Sequence, residues 1–302
     1  MNIVFMGTPE FSIPTLTKLY RSHHNVQLVV TQPDRPKGRG RESTPSPVKQ
    51  FALENNIPIL QPKKCTDLEV VKTLGMLNAD FFIVVAFGQI LDKALLALPL
   101  HFCINLHSSL LPKYRGAAPI NWSIINGETE AGITTMKMDV GLDTGDILLA
   151  HKVPINDDDD AQSLHDTLAQ KGSDLVLETL NQFDFGSLEG TSQNIELASY
   201  APKLKKEDGL IQWDQPAVKI HNLVRGLAPW PGAFSFLESK RFKICKTEIK
   251  SCDSSNQPGV ILRISGCGIE VGTQSKKIII TELQPEGKKR MDVKSFLAGH
   301  KL

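Results

Sequence analysis

The chain has 302 residues, 41% hydrophobic and 22% charged, with a formal net charge of +1, the balance of an ordinary soluble protein. That length exceeds the usual single-domain size, so two domains are the default. No run of about 18 apolar residues is present, which excludes a membrane-spanning helix, and the opening M-N-I-V-F-M-G-T-P lacks a basic segment followed by an apolar one, so a cytoplasmic protein is expected. The five cysteines, Cys65, Cys103, Cys245, Cys252 and Cys267, show neither a C-x-x-C pair nor zinc-ligand spacing with histidine, and are expected to be reduced packing thiols.

The near-neutral total hides an asymmetry. Residues 200–302 hold 18 Lys and Arg against 10 Asp and Glu, whereas residues 1–199 hold 16 against 23. A basic C-terminal third reads as a polyanion-binding appendage or as a solvated basic face.

In chain order, short β-branched and apolar runs at 3–6, 26–31, 81–86 and 103–106 alternate with helical or turn-rich stretches, the pattern of a parallel sheet with helical crossovers. After the first strand, Gly7 suits a tight turn, Thr8 a cap and Pro9 a first helical position. A G-x-G-x-x-G fingerprint is absent, which argues against a nicotinamide or flavin dinucleotide. The segment P-D-R-P-K-G-R-G-R-E-S-T-P-S-P at 33–47 is too rich in Pro, Gly and charge for helix or strand, and reads as a long irregular loop. Its Arg35, Lys37, Arg39 and Arg41 fit either phosphate contact or plain solvation. Asp157, Asp158, Asp159 and Asp160 precede an apolar periodicity over 164–180 and read as helix-start chemistry. His23 and His24 read as a solvated pair behind a helix. Beyond residue 185 the polar run G-S-L-E-G-T-S-Q-N marks a boundary. The expected division is a domain over 1–189, a linker over 190–203 and a second domain over 204–302. There a helix at 217–226 and short strands at 233–237, 242–249, 259–264, 268–271 and 277–283 suggest a small OB-like barrel.

Two blocks carry chemistry. In C-I-N-L-H-S-S-L-L-P-K-Y-R-G-A-A-P-I, Asn105 and His107 lie two apart on one strand and share a face at its carboxyl end, where open α/β sheets place ligands. A single histidine after a strand is, by itself, more often structural. In M-D-V-G-L-D-T-G-D-I, between apolar segments at 132–138 and 147–153, Asp143 lies between Gly141 and Gly145. Spacing alone favours a turn-forming over a catalytic Asp there.

Taken with the run 3–11 and the loop T-Q-P-D-R-P-K-G-R-G, the blocks N-L-H-S-S-L-L-P-K-Y-R-G-A-A-P-I and D-V-G-L-D-T-G-D resemble the folate-dependent formyltransferases over nearly the whole chain. The basic R-P-K-G-R-G-R loop, A-A-P-I, the basic C-terminal domain and A-P-W-P-G-A resemble the methionyl-tRNA branch of that family in particular. The resemblance implies an α/β fold, a Rossmann-like parallel sheet followed by the OB-like barrel. It also implies transfer of a formyl group from 10-formyltetrahydrofolate to the α-amine of methionyl initiator tRNA, by a monomer without a metal. Carried over residue by residue, Asn105, His107 and Asp143 are the catalytic trio, with Asp143 pairing with His107 and fixing its tautomer. Ser109, Leu110, Leu111 and Pro112 line the folate site, and Phe87, Gly88, Gln89, Ile90 and Asp139 pack near the pterin. Arg39, with Lys37 and Arg41, meets the tRNA acceptor end. The rival readings are the same chemistry on another amine, hydrolysis of the same folate, and a non-catalytic RNA-binding protein.

Overall fold

A computed structural model of the chain describes residues 1–37, 42–251 and 257–299. Its first half alternates strand and helix: β1 (Asn2–Gly7), α1 (Ile13–Tyr20), β2 (Asn25–Val30), β3 (Arg35–Lys37), β4 (Glu42–Thr44), α2 (Pro47–Glu54), β5 (Ile59–Leu60), α3 (Leu68–Gly75), β6 (Phe81–Val85), α4 (Lys93–Leu96) and β7 (Phe102–His107). There follow the two-residue strand β8 (Arg115–Gly116), α5 (Pro119–Ile125), β9 (Glu130–Lys137), β10 (Ile147–Pro154) and the 24-residue α6 (Ala161–Asp184). Seven of the strands form one sheet in the order β10-β9-β7-β6-β1-β2-β5. The pairs among β5, β2, β1, β6 and β7 are parallel, as the alternating pattern predicts. The sheet gains an antiparallel edge at β9, which returns alongside β7 with His107 opposite Thr134.

Both faces of the central strands are buried. Val4, Met6, Val30, Phe82 and Val84 share one cluster with Leu74, Phe87 and Leu95. The alternate residues Ile3, Phe5, Ile83 and Val85 are fully buried as well. Strands covered on two sides must be apolar throughout, and this is why these runs lack polar alternation.

Local chemistry departs from expectation at three places. Residues 33–47 are not wholly irregular, since β3 and β4 pair antiparallel with Arg35 opposite Thr44 and Lys37 opposite Glu42. A two-stranded ribbon accommodates Pro36 because it has free edges. Arg39 and Arg41 lie outside the described residues. Thr8 caps no helix; its hydroxyl donates to the Phe87 carbonyl at 3.0 Å, and α1 follows a 3-10 turn, Glu10–Ser12. The acidic run does start α6: Asp160 Oδ1 accepts from the amides of Gln162 and Ser163, both at 2.9 Å.

His24 is the third departure, being buried and not solvated. Its Nδ1 lies 3.4 Å from the terminal amino group, and its Nε2 is buried with no hydrogen-bond partner. Burial first, then His23 and the terminal ammonium, push its pKa from 6.5 down to about 4, against the attraction of Asp184.

After a 3-10 turn (Ile195–Leu197), β11 (Tyr200–Ala201) and a second 3-10 turn (Lys206–Gly209), the C-terminal residues form α7 (Ala217–Gly226), β12 (Phe234–Leu237), β13 (Lys240–Lys250), β14 (Ile261–Ser265), β15 (Gly268–Gly272), β16 (Lys277–Pro285), β17 (Met291–Asp292) and α8 (Val293–Gly299). The sheet order is β12-β13-β16-β15-β14, with β17 on β16. The expected barrel takes the form of an antiparallel half-barrel, because its end strands β12 and β14 do not pair among the described residues. Ile220 and Val224 of α7 and Val293 and Phe296 of α8 share a core with Ile244, Ile269, Val271, Ile278 and Ile280 of the sheet.

Contacts gather the chain into two compact units. One holds Met1–Gly116, Gly132–Val153 and His165–Tyr200; the other holds Ala117–Ala131, Pro154–Leu164 and Ala201–Leu302. In the second, Leu204 and Leu227 cluster with Ala118, Trp122 and Ile125 of the α5 region, and Asn121 donates to the Gly226 carbonyl at 2.8 Å. Arg225 ties the same unit by donating to the carbonyls of Asn156 at 2.9 Å and Asp159 at 3.1 Å.

The buried His24 makes a pH prediction. Between pH 6.5 and about 4 the unfolded chain binds a proton at this residue that the folded chain does not, so stability falls as pH drops through that window. Urea unfolding of His24→Gln should show a shallower loss over that range than the parent chain; parallel curves would refute the assignment.

Candidate active site

β7 delivers Asn105 and His107 to one face, and its burial pattern leaves Asn105 half-buried while His107 is buried. Among the described residues the Asn105 amide has no hydrogen-bond partner. His107 has two neighbours. Its Nε2 lies 3.0 Å from the Tyr114 carbonyl, and its Nδ1 lies 3.8 Å from Asp143 Oδ2. A carbonyl only accepts, so Nε2 carries a hydrogen and donates to Tyr114. The tautomer is therefore held by Tyr114, not by Asp143 as the sequence suggested, and Nδ1 is the nitrogen left to take a proton beside the carboxylate.

Asp143 is placed by its backbone. It has φ of 54°, a left-handed conformation that asparagine and aspartate tolerate better than most residues. Its Oδ2 also accepts from the Gly116 amide at 2.8 Å, so one oxygen faces both the imidazole and a backbone donor. The side chain is only 15% exposed, which strengthens its field at His107. Asp139 organises the start of this loop, its Oδ1 accepting from Gly141 N at 3.0 Å and Thr144 Oγ1 at 2.7 Å. Gly145 has no room for a side chain, since an added Cβ would sit 1.7 Å from the Lys137 carbonyl oxygen.

The turn after β7 is stapled internally. Ser109 Oγ donates to the Lys113 carbonyl at 2.6 Å, its own carbonyl accepts from Thr134 Oγ1 at 2.6 Å, and the Leu111 amide donates to Thr134 Oγ1 at 3.3 Å. Leu111 is buried, the Leu111–Pro112 peptide is cis, and Leu110 covers Gly132 of β9. The Ser109 hydroxyl is thus engaged in holding the turn.

Phe87, Gly88, Gln89 and Ile90 leave β6 just beyond Val84, which pairs with Asn105, so this loop emerges one strand away from Asn105 and His107. Phe87 is buried and Ile90 is 84% exposed. Gln32 Nε2 donates to the carbonyls of Phe87 at 3.2 Å and Gly88 at 2.9 Å, and Arg35 donates to Gln32 Oε1 at 2.6 Å. The Gln89 amide is already paired, accepting from Cys65 N at 2.8 Å and donating to the Pro62 carbonyl at 3.0 Å. Its role is to shape the loop.

The structure therefore brings His107 and Asp143 together, sets Asn105 beside them on β7, and places the Phe87–Ile90 loop next to that strand. The backbone of Lys37 belongs to β3, and Arg39 and Arg41 lie outside the described residues. Two other groups are excluded as nucleophiles at neutral pH: burial pushes the Cys103 thiol up to about 12 and also raises Cys65. No group of three or more His, Cys, Asp or Glu able to hold a metal ion occurs among the described residues.

Sequence reasoning missed Tyr114, Gly116 and, above all, residues 191–199. Thr191 pairs with Ile147 by reciprocal 2.8 Å bonds. Gln193 Nε2 donates to the carbonyls of Asp143 at 2.9 Å and Gly145 at 2.7 Å, and Ser199 Oγ accepts from Tyr114 N at 2.9 Å. These contacts come from the polar stretch expected to link the domains, and nothing local in it signals where its amides go.

A buried imidazole at the end of β7 faces a carboxylate from the loop between β9 and β10, a pair able to exchange a proton, and the family follows from comparison. Residues 1–180 match the family described as Formyl transferase and residues 203–301 match Formyl transferase, C-terminal domain. The chain belongs to the formyl transferase family. It is 53% identical over 302 residues to the methionyl-tRNA formyltransferase of Citrifermentans bemidjiense, covering 100% of this chain and 94% of the relative. It is 48% identical over 303 residues to the methionyl-tRNA formyltransferase of Clostridium acetobutylicum, covering 100% and 97%. The fold is shared with WlaRD, a sugar 3N-formyl transferase solved with dTDP and 5-N-formyl-THF, at TM-score 0.70 and 21% identity over 96% of this chain and 99% of that one. It is shared also with the methionyl-tRNA formyltransferase of Clostridium thermocellum, at TM-score 0.56 and 19% identity over 83% and 94%.

The crowding at Gly145 gives a prediction on stability. The clashing atom is backbone and cannot rotate away, so Gly145→Ala should lose about 1–3 kcal/mol in chemical denaturation. Gly266→Ala, where the nearest atom lies 3.9 Å away, should change little.

Proposed function

We propose that the protein transfers the formyl group of 10-formyltetrahydrofolate to the α-amine of methionine carried by initiator tRNA. The observation that carries this reading is the full-length likeness, through both family regions, to proteins that bear that name. Retention of a basic C-terminal third supports a polyanionic acceptor over a small sugar amine, since fold alone does not choose between them.

In the mechanism, the methionyl amine attacks the formyl carbon. An α-amine has a pKa of about 7.7 to 8.0, so a useful fraction is neutral near pH 7. On attack the nitrogen becomes cationic and the carbonyl oxygen anionic. Asn105, whose amide is uncommitted, donates to that developing oxyanion, and the nitrogen gives its proton to Nδ1 of His107, directly or through water. The Tyr114 carbonyl holds the other ring nitrogen protonated, so the resulting imidazolium has its new N–H beside Asp143. At that spacing unit charges attract by about 4 kcal/mol at an effective dielectric near 20. Collapse of the tetrahedral intermediate breaks the bond to the folate nitrogen, which takes up a proton, and leaves the formamide on methionine.

The turn at Ser109, Leu110, Leu111 and Pro112, the loop Phe87–Ile90 and Asp139 frame the folate pocket in this reading. Arg39, with Lys37 and Arg41, meets the acceptor end of the tRNA. The division into a catalytic domain over 1–189, a linker over 190–203 and a tRNA-binding domain over 204–302 is supported by family matches that end at 180 and resume at 203. A cytoplasmic monomer completes the proposal.

Purified protein should move label from 10-formyltetrahydrofolate onto methionine-charged initiator tRNA; release of formate, or transfer to an amino sugar instead, would refute the assignment. Asp143→Asn should lower kcat by about 10²- to 10⁴-fold with folate affinity retained. Asn105→Ala should cost about 2.7 to 4 kcal/mol of transition-state stabilisation. Equal loss of folate binding without loss of rate would remove either residue from the chemistry. Affinity for tRNA should fall steeply from low to moderate salt, and Arg39→Ala should reduce that slope by about one.

A further inference from the structure

The carboxylate of Asp143 has a left-handed backbone beneath it and a loop rich in glycine around it, neither of which fixes a side chain within a fraction of an ångström. The Gly116 amide holds one carboxylate oxygen at 2.8 Å, and the loop that carries the side chain is held from far away in sequence. Gln193 Nε2 is a two-handed donor, reaching the Asp143 carbonyl at 2.9 Å and the Gly145 carbonyl at 2.7 Å. Both hydrogens of one amide are thus spent on the carbonyls of Asp143 and Gly145, on either side of Thr144. Its Oε1 accepts from Arg115 twice, from Nε at 3.1 Å and from Nη2 at 2.7 Å. Arg115 is only 3% exposed and lies beside Tyr114 and Gly116, whose carbonyl and amide contact His107 and Asp143. The flanking residues repeat the attachment: Thr191 pairs with Ile147, and Ser192 Oγ donates to Asp146 Oδ1 at 2.9 Å.

We propose that Gln193 is a positioning residue for formyl transfer, an amide bridge that locks the Asp143 loop to the Tyr114–Gly116 turn and so sets the carboxylate against His107. The inference rests on the reading of Asp143 as catalytic. Gln193 touches no reacting atom; it acts through Asp143. Its amide is matched to the task because one side must accept from a buried guanidinium while the other must donate to two carbonyls, and among uncharged side chains only Gln and Asn offer both groups. A misplacement of about 1 Å at a catalytic group costs on the order of 10² in rate, so the bridge governs turnover more than binding.

Gln193→Glu separates the two halves of the bridge. A carboxylate still accepts from Arg115, so no buried charge is orphaned and the fold keeps its partner, but it cannot donate to Asp143 and Gly145. In steady-state transfer to charged initiator tRNA, by protein that is folded at the assay temperature, kcat of Gln193→Glu should fall about 10- to 100-fold, with KM for folate and tRNA within about twofold of the parent and the unfolding midpoint lowered only modestly. Introduced into Asp143→Asn, the same change should cost less than about twofold more, because the group it positions has lost its charge. Parent-like turnover in Gln193→Glu while Asp143→Asn is slow overturns the bridge. A full, multiplicative loss in the double variant overturns it too, because Gln193 would then act by another route. If Asp143→Asn itself turns over like the parent, it is the reading of Asp143 that falls, and the proposal with it.

Discussion

The structure depends on how His107 is divided between two partners. One ring nitrogen faces a peptide carbonyl, which accepts and never donates, and the other faces a carboxylate 3.8 Å away. The first contact leaves the imidazole one protonation choice in its neutral form, and the second sets its other nitrogen beside a carboxylate. Each partner comes from a different chain segment, so the site exists only when the turn after β7 and the loop between β9 and β10 are both seated. Much of the surrounding hydrogen bonding does that seating. Ser109, Thr134 and Ser199 hold the turn, while Asp139, Gly116 and Gln193 hold the loop.

This division of labour explains why so many polar residues at the site are already satisfied. A buried donor or acceptor left unpaired costs about 1–3 kcal/mol, so a site cannot keep many polar groups idle. Gln89 and Ser109 spend their side chains on loop geometry, while the Asn105 amide on the His107 face of β7 is uncommitted among the described residues. On the loops beside this site Ile90, Val140 and Leu142 are exposed apolar side chains.

The C-terminal region follows a different logic. Its sheet is stabilised by α7 and α8 on one face and leaves the end strands β12 and β14 unpaired with each other among the described residues. Strand counting along the sequence located its strands within a residue or two but implied closure. Closure depends on whether the first and last strands meet, a non-local relation that alternation and turn residues do not encode.

The sequence by itself determined the parallel core, because runs such as 81–86 are apolar on both faces and only a doubly covered strand requires that. It determined the placement of Asn105 and His107 on one face, since the two-residue period of a strand is local, and a helix start at the acidic run 157–160, since capping spans three residues. The motif N-L-H-S-S-L-L-P with D-V-G-L-D-T-G-D carried the family. Tertiary structure decided the rest: that β9 runs antiparallel, that residues 33–47 contain a strand pair, that His24 is buried, that Tyr114 sets the tautomer of His107, and that Gln193 bridges to Asp143 across 50 positions of chain. Each of these is a pairing between groups distant in sequence. A hydrogen-bonding side chain advertises its capacity locally, but its partner is chosen by the fold.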